Sequence, residues 1–159
     1  MGVENMKAQQ LSRGEWLRLL AAGITAGGIS GIVLGVTMKL LEHWSGKAVY
    51  VLLLNVDFIK WLPAQMPEWV EFTLHLAVAL PIGILYLILL SLWRSPMGLS
   101  MGLSAAITCC TWIPLTQLSE RTPSVTDIEA LLWWIAGHLV YGFVLARFGK
   151  WWLKRGAAV

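Results

Sequence analysis

The sequence is short of charged residues and of cysteine. Only 13% of the 159 residues are charged and two are cysteines, whereas 57% carry hydrophobic side chains and the mean hydropathy is +0.67. A soluble domain of average composition has about 25% charged and about 45–50% apolar residues. A compact soluble domain of this length has too much surface to bury such a composition. The composition therefore excludes a disordered chain, a disulfide scaffold and an ordinary soluble enzyme, and it indicates an integral membrane protein.

Four long stretches with very few charges predict helices that cross a membrane. They cover residues 17–41, 69–93, 97–118 and 128–148. About 20 apolar residues suffice to span about 30 Å of hydrocarbon. Backbone groups in lipid must pair within the segment, and none of the four stretches has the period of two that a barrel strand needs. We therefore predict an all-α integral membrane protein, a four-helix bundle that forms one membrane domain over residues 1–159.

Short sequence signals predict where the helices begin and how they connect. Ser12 and Glu15 have the spacing of a capping box ahead of an apolar run, and so do Thr126 and Glu129. Residues 94–96 leave so short a link that spans two and three must form an antiparallel hairpin.

The longest loop, about residues 42–68, contains an apolar run at residues 49–56. This run is too short to cross a membrane. We expect a helix or strand that lies on the membrane surface or folds over the bundle, and that ends at the Trp-Leu-Pro sequence of residues 61–63.

The charges near the ends of the spans predict the orientation. Eight of the 12 Lys and Arg residues and two acidic residues fall on the side of both termini, and four basic and seven acidic residues fall on the other. The net charge is therefore +6 on one side and −3 on the other, in agreement with the total of +3. Basic residues favour the cytoplasmic side, so we expect both termini in the cytoplasm and no nucleic-acid partner. The basic residues are Lys7, Arg13, Arg18, Arg94, Arg147, Lys150, Lys154 and Arg155 on the first side, and Lys39, Lys47, Lys60 and Arg121 on the second.

Glycine recurs at every fourth residue of the first span, at Gly23, Gly27, Gly31 and Gly35. Glycines at this spacing expose backbone along one stripe of a helix and let another helix approach closely. We interpret this glycine stripe as a packing surface, either within the bundle or between copies of the chain. A sliding helix interface or a passage lined by backbone is the alternative.

The third span repeats the pattern in a weaker form. Gly98 and Gly102 are four residues apart, and Ser100, Ser104 and Thr108 form a second row at the same spacing. We expect the glycines to pack against another helix. The hydroxyl row need not line a pore, because Ser and Thr in a helix can bond back to their own backbone.

Two histidines lie inside predicted spans, His75 in the second and His138 near the middle of the fourth. Ionisable residues within a membrane are functional candidates by default. As a neutral ring, each could donate one hydrogen bond to a carbonyl or to a hydroxyl such as that of Tyr86 or Thr25, which is our first interpretation. A proton relay or a polar ligand site is the alternative.

Glu71 and Tyr141 complete the candidate polar or proton site. Glu71 lies one helical turn before His75, so the two share a face and could gate protons, although a Glu near the interface can also snorkel to water. Tyr141 follows His138 by three residues in a segment bounded by glycines. The candidate site therefore comprises Glu71, His75, His138 and Tyr141.

No catalytic motif is found in the sequence. It lacks a nucleophile–base motif, a P-loop and the spacing of metal ligands, and the adjacent Cys109 and Cys110 are interpreted as small core residues. Adjacent cysteines do not form an ordinary structural disulfide. We therefore expect a protein without catalytic residues, metal or cofactor.

Three segments of the spans share a pattern of small residues. They are Gly23-Ile-Thr-Ala-Gly-Gly-Ile-Ser-Gly followed by Lys39, Met97-Gly-Leu-Ser-Met-Gly-Leu, and Gly137-His-Leu-Val-Tyr-Gly before a basic tail. Together they resemble the YagU/YqhR-like bacterial inner-membrane proteins. The resemblance implies a small multi-pass protein of the bacterial cytoplasmic membrane, gives weight to His138, and supplies no catalytic residue.

The sequence favours a non-enzymatic membrane protein that acts through helix contacts. Its expected surroundings are the lipid bilayer, and its expected partners are further copies of itself or a larger membrane protein. The alternative is a small transporter or a proton-linked channel that uses Glu71, His75 and His138.

Overall fold

The computed structural model describes residues 12–57, 59, 61–63 and 66–156, and this part of the chain is helical without strands. Lys7, Glu4 and Lys60, which enter the predicted charge balance, lie outside it. Its helices are α1 (Arg13–Ser45), α2 (Val49–Leu54), α3 (Glu68–Trp93), α4 (Pro96–Gln117) and α5 (Ile128–Gly156). All except α2 are long and apolar enough to cross a membrane. The predicted all-α multi-pass membrane protein with four spanning helices is therefore confirmed.

The predicted capping box is present at α1 and absent at α5. The Ser12 backbone N–H donates to Glu15 Oε2 at 2.7 Å, and the Glu15 N–H donates to Ser12 Oγ at 3.3 Å. At α5 the prediction of a capping box at Thr126 is wrong. Asp127 directly precedes this helix, and its Oδ1 accepts the Ala130 N–H at 3.1 Å. An aspartate at this position satisfies a free N–H of the first turn, as Thr126 was expected to do.

The long helices associate mainly as two antiparallel pairs, α1 with α3 and α4 with α5. Contacts between α1 and α5 join the pairs, whereas α3 and α4 touch much less. The short link between α3 and α4 is present, and in it Arg94 takes a left-handed conformation with φ 49°. The short link of the predicted hairpin is therefore present, but α3 and α4 have little contact along their length.

The short helix α2 folds over one end of the bundle, which is one of the two predicted arrangements. Val49 and Leu52 are fully buried. Glu42 at the end of α1 places its Oε2 2.7 Å from the Tyr50 nitrogen and 3.1 Å from the Val51 nitrogen, so its carboxylate accepts both N–H groups. These are N–H groups that a helix cannot satisfy by itself, so Glu42 fixes the start of α2.

α2 ends earlier than predicted. Asn55 follows its last residue, and the Asn55 backbone N–H donates to Leu52 O at 3.3 Å. The Asn55 side chain donates to Leu115 O in α4 at 3.1 Å. This bond holds the chain against α4 directly after Leu54, the last residue of α2. The expectation that residues 61–63 end the segment is therefore wrong.

The bundle has two ends with different contents. The terminal end holds the start of α1, the turn between α3 and α4, and the end of α5. The loop end holds α2 and residues 118–127, which connect α4 to α5. The half of the bundle near the terminal end is called the terminal half below, and the other is called the loop half.

Candidate functional site

A cavity lies in the loop half, among α3, α4 and α5. Its volume is about 210 Å³, which exceeds the roughly 150 Å³ of an engineered apolar cavity that binds benzene. His75 and Val78 line it from α3, Thr111 lines it from α4, and His138 and Tyr141 line it from α5. Most of the other lining residues are aliphatic. The cavity therefore combines an apolar wall with a small number of polar groups, as ligand pockets do.

The cavity reaches the surface of the bundle at Val78. This residue lines the cavity and is also 61% exposed. It is ten residues, or about 15 Å, from the start of α3, a helix that is long and apolar enough to cross a membrane. The exposed edge of the cavity therefore lies well inside this helix and not at its end.

His138 is a deeply buried titratable side chain on the cavity wall. It is 2% exposed, and its ring packs 4.4 Å from the Trp134 ring, measured between centroids. Its Nδ1 lies 2.9 Å from the Trp134 backbone oxygen. A carbonyl oxygen can only accept, so Nδ1 carries the proton and a neutral ring has its lone pair on Nε2. Among the described residues, Nε2 has no hydrogen-bond partner.

His75 lines the opposite wall and binds the glycine stripe. Its Nε2 lies 3.2 Å from the Gly31 backbone oxygen, so Nε2 donates to this carbonyl. His75 also packs against Phe72, with 5.9 Å between the ring centroids. Both histidines therefore donate to a backbone carbonyl, as our first interpretation expected, and the fold brings them to one cavity. The hydroxyls of Tyr86 and Thr25 instead donate to Pro96 O and Ala21 O.

Two further side chains on the cavity wall carry polar atoms that lack a partner. The hydroxyl of Tyr141 and the indole Nε1 of Trp134 are buried and form no hydrogen bond within the described part of the chain. Both residues line the cavity. Buried polar groups in folded proteins are nearly always paired, so these two atoms are exceptions in the packing beside the cavity. Ser30 Oγ and Trp133 Nε1 are further exceptions away from it.

Glu71 does not join His75. Its Oε1 lies 3.4 Å from Nη2 of Arg121, whose Nη2 also lies 3.0 Å from Asp57 Oδ1. Hydrogen bonds from the Ser119 side chain and from Arg121 hold the pKa of Asp57 below its ordinary value. Glu71 therefore belongs to an ion-pair cluster at the loop end, and the structure separates it from the cavity histidines.

A second ion pair closes the loop end near the start of α5. Nζ of Lys47 lies 3.0 Å from Asp127 Oδ2 and 3.3 Å from Glu129 Oε2. The Ala130 N–H and the Lys47 ammonium lower the pKa of Asp127. The hydrogen bond to Asp127 in turn raises the pKa of Lys47. These ion pairs therefore join the link between α1 and α2 to the start of α5 at the surface of the protein.

The glycine stripe of α1 faces α3 of the same chain. A Cβ added to any of the four glycines would come closer than 3.0 Å to an atom of α3. At Gly27 the nearest atom would be the Ala79 backbone oxygen, which belongs to a helix and cannot turn aside. The facing residues are Ile84 for Gly23, Ala79 for Gly27 and Gly31, and Phe72 for Gly35. The stripe therefore lets α1 and α3 approach closely within one molecule.

Gly98 and Gly102 do not pack against another helix, contrary to our expectation. A Cβ at Gly102 would meet nothing within 4 Å, and one at Gly98 would meet only Ser95 at the start of its own helix. The hydroxyl row makes the contact instead, because Ser104 is buried and its Oγ donates to His138 O in α5 at 2.5 Å. The rotation of α4 therefore directs its hydroxyls inward and its glycines outward.

The structure adds residues that the sequence did not single out. Asn55, Thr111 and Trp134 line the cavity. Trp134 carries a sequence signal, because tryptophan is most frequent at membrane interfaces and this one lies inside a span. Thr111 carries none, since only the packing of α4 shows which side of the helix it occupies.

The described residues contain no cluster of three or more His, Cys, Asp or Glu side chains that could hold a metal ion. Cys109 and Cys110 are exposed on α4, so the interpretation of both as core residues is wrong. Residues of this helix that face away from α5 lie on the outer surface of the bundle.

Comparisons of the chain with protein families, with curated proteins and with solved structures find no significant match. The resemblance to the YagU/YqhR-like proteins therefore stays a prediction. The class that the fold and the site define is a multi-pass membrane protein with a side-opening cavity in one half of its bundle.

Proposed function

We propose that this multi-pass membrane protein binds a small, largely apolar molecule that enters the cavity from the lipid between α3 and α4. The observation that carries the proposal is the exposed Val78, which lines the cavity and lies about 15 Å from the start of a helix apolar enough to cross a membrane. A molecule that reaches this exposed edge of the cavity must first dissolve in the bilayer. Aliphatic side chains with a few polar groups between them support binding of such a molecule.

This proposal replaces helix contact with a partner as the leading function. The glycine stripe was the main reason to expect contact with another copy or with a larger membrane protein, and its four glycines face α3 in the same chain. The shorter row of Gly98 and Gly102 stays exposed on α4. The remaining surface of the spans is apolar, as lipid contact requires.

Transport across the membrane is the second candidate. It is favoured by the two histidines, His75 and His138, which line one cavity. The terminal half is filled by Tyr86, Leu87 and Leu145, each at most 1% exposed. A transport cycle would therefore require these side chains to separate so that the cavity opens towards the terminal end.

For the setting of this function we propose the cytoplasmic membrane of a bacterium, with both termini in the cytoplasm. The charge difference between the two sides of the sequence supports this orientation. The resemblance stated above supports the bacterial membrane.

Equilibrium binding of a fluorinated hexylbenzene, followed by fluorine NMR in lipid nanodiscs, tests the proposal. The wild-type protein is expected to show a bound signal that saturates at one molecule per chain, distinct from the signal of probe dissolved in the lipid. Thr111→Phe is the matching variant, because the larger ring would fill the cavity. The Thr111 hydroxyl donates only to the Ile107 backbone oxygen of its own helix. This oxygen also takes part in the backbone hydrogen bonding of α4, so removing the hydroxyl leaves it paired.

The control is Cys110→Phe, which adds the same ring to the neighbouring, exposed position of α4. We expect the bound signal to disappear in Thr111→Phe and to persist in Cys110→Phe. The proposal would be contradicted if the bound signal rose in proportion to the probe concentration without saturation. It would also be contradicted if the bound signal were equal in Thr111→Phe and Cys110→Phe.

A further inference from the structure

We infer that the bound molecule carries one neutral hydroxyl group at its buried end, as a lipid-soluble phenol or long-chain alcohol does. This inference rests on the proposed function, because it names the class of molecule that the same cavity takes. The argument depends on which atoms of the wall lack a partner and on which charges the wall lacks.

The first requirement is a hydrogen-bond donor for His138. Its Nδ1 is engaged at 2.9 Å by the Trp134 carbonyl, so its Nε2 is an acceptor. The ring is 2% exposed and lines the cavity, so a partner for Nε2 has to lie within the cavity. A ligand that presents an O–H group to Nε2 would satisfy this nitrogen.

The second requirement is a head group that His138 alone can hold. Tyr141 lies three residues after His138 on the same face of α5, but its hydroxyl is buried and has almost no accessible surface. It therefore does not reach the space of the cavity. The Nε2 atom of His138 sets the head group, and a hydroxyl is the smallest uncharged group that donates to it.

The third requirement is neutrality. None of the described residues that line the cavity is Lys, Arg, Asp or Glu. A phosphate, carboxylate or ammonium group would be buried there without an opposite charge, which is strongly unfavourable. The wall therefore selects against charged lipid head groups.

The size of the cavity limits the buried end to a ring and a short stretch of chain. The volume of about 210 Å³ compares with the roughly 150 Å³ that accommodate benzene. A longer tail would leave through the opening beside Val78 and lie in the lipid. The molecule is thus bound by its head and anchored by its tail in the bilayer.

Three probes with one apolar body test the head group. 4-Hexylphenol, hexylbenzene and 4-hexylbenzoate are each used to displace the fluorinated hexylbenzene from wild-type protein in nanodiscs, with concentrations expressed per mole of lipid. 4-Hexylphenol is expected to bind about fivefold more tightly than hexylbenzene, since a neutral hydrogen bond contributes about 1 kcal/mol. 4-Hexylbenzoate is expected to bind most weakly.

His138→Phe is expected to remove the difference between 4-hexylphenol and hexylbenzene. The matched control is His43→Phe, because His43 is exposed on α1 and does not line the cavity. It is expected to retain the full difference. In wild-type protein, the nitrogen NMR signal of the unprotonated His138 nitrogen should move when 4-hexylphenol binds and stay in place with hexylbenzene. This readout tests the inference even if His138→Phe fails to fold.

The outcomes separate the inference from the proposed function. If hexylbenzene binds saturably and 4-hexylphenol binds no more tightly, the hydroxyl inference fails and the lipid-phase binding site stands. If 4-hexylbenzoate binds most tightly, the requirement for a neutral head group fails. If none of the probes displaces the fluorinated hexylbenzene or binds saturably, both proposals fail together.

Discussion

A buried tyrosine is packed and hydrogen-bonded differently in the terminal half of the bundle and in the loop half. In the terminal half, Tyr86 is fully buried and its hydroxyl donates to Pro96 O at 3.0 Å. In the loop half, Tyr141 is 2% exposed and its hydroxyl has no partner within the described part of the chain. Leu87 and Leu90 fill the space beside Tyr86, whereas a cavity lies beside Tyr141. The terminal half is therefore packed more closely than the loop half, and the proposed binding site requires this difference.

The way the helices pair explains how a cavity can persist in a packed bundle. α1 and α3 are held together by the glycine stripe, and α4 and α5 are held together by contacts such as that of Ser104 with His138 O. The cavity forms where the two pairs face each other through α3 and α4, which touch little. The cavity therefore lies between two helix pairs, each of which is held together by its own contacts.

The largest expected effect concerns the contact on which both halves depend. Gly27→Leu would place a side chain against the Ala79 backbone oxygen. We expect α1 and α3 to be forced apart, with a loss of about 3 kcal/mol or more in unfolding free energy or a failure to fold. Thermal unfolding in mild detergent measures the effect.

Gly102→Leu is the control for this substitution, because a Cβ at Gly102 meets nothing within 4 Å. We expect it to unfold within about 1 kcal/mol of wild type, since leucine is also the better helix former. Equal destabilisation by the two substitutions would show that the stripe has no special role.

A pair of leucines on α3 compares the packing of the two halves. Leu87 is 1% exposed in the terminal half, whereas Leu74 is half-buried and lines the cavity. We expect Leu87→Ala to lower the free energy of unfolding by about 2–4 kcal/mol, because it leaves a new void. Leu74→Ala should lower it much less, since it enlarges a space that already exists. Chemical or thermal unfolding of both variants should rank them in this order, and the reverse order would contradict the difference in packing.

A pair of tyrosines compares hydrogen bonding in the two halves. Tyr86→Phe removes the bond to Pro96 O, so we expect a loss of about 1 kcal/mol in unfolding free energy. Tyr141→Phe removes a hydroxyl without a partner and should be neutral or slightly stabilising. If Tyr141→Phe were as destabilising as Tyr86→Phe, the Tyr141 hydroxyl would have to be paired, and the difference in hydrogen bonding between the two halves would be lost.

The smallest expected effect lies at the loop end, in the ion pair between Lys47 and Asp127. Lys47→Met should lower the unfolding temperature slightly at neutral pH, because both side chains are partly exposed to water. Asp127 has a lowered pKa in the folded protein, so its contribution is present above its ordinary pKa and is lost as the pH falls through the lowered value. The difference between wild type and Lys47→Met should therefore shrink in acid, and thermal unfolding as a function of pH measures it. A constant difference would exclude Asp127 as the partner.

The sequence was sufficient for the spans and insufficient for the site, for a physical reason. The length of an apolar stretch is a local property, so α3 and α4 were predicted to within one residue at each end. Which side of a helix faces inward depends on its neighbours. Gly102 and Ser104 belong to rows with the same spacing, and only packing against α5 decides that Ser104 is buried.

The candidate polar residues illustrate the same limit. His138 and Tyr141 could be grouped because they are three residues apart on one helix. His75 joins them only through the arrangement of α3 relative to α5, and Glu71 leaves the group because Arg121, fifty residues away, binds it. Contacts between distant segments cannot be read from spacing within one segment.

Photolabelling in nanodiscs tests most directly whether the loop half contains a site for a lipid-phase molecule. An alkylbenzene that carries a diazirine is added over a range of concentrations, and the labelled residues are mapped by mass spectrometry. We expect labelling of residues 74–78 and 107–111 to saturate and to be displaced by 4-hexylphenol. Labelling of residues 85–92 in the terminal half should rise without saturation, as contact with bulk lipid requires. Equal, unsaturated labelling of both halves would contradict the central claim.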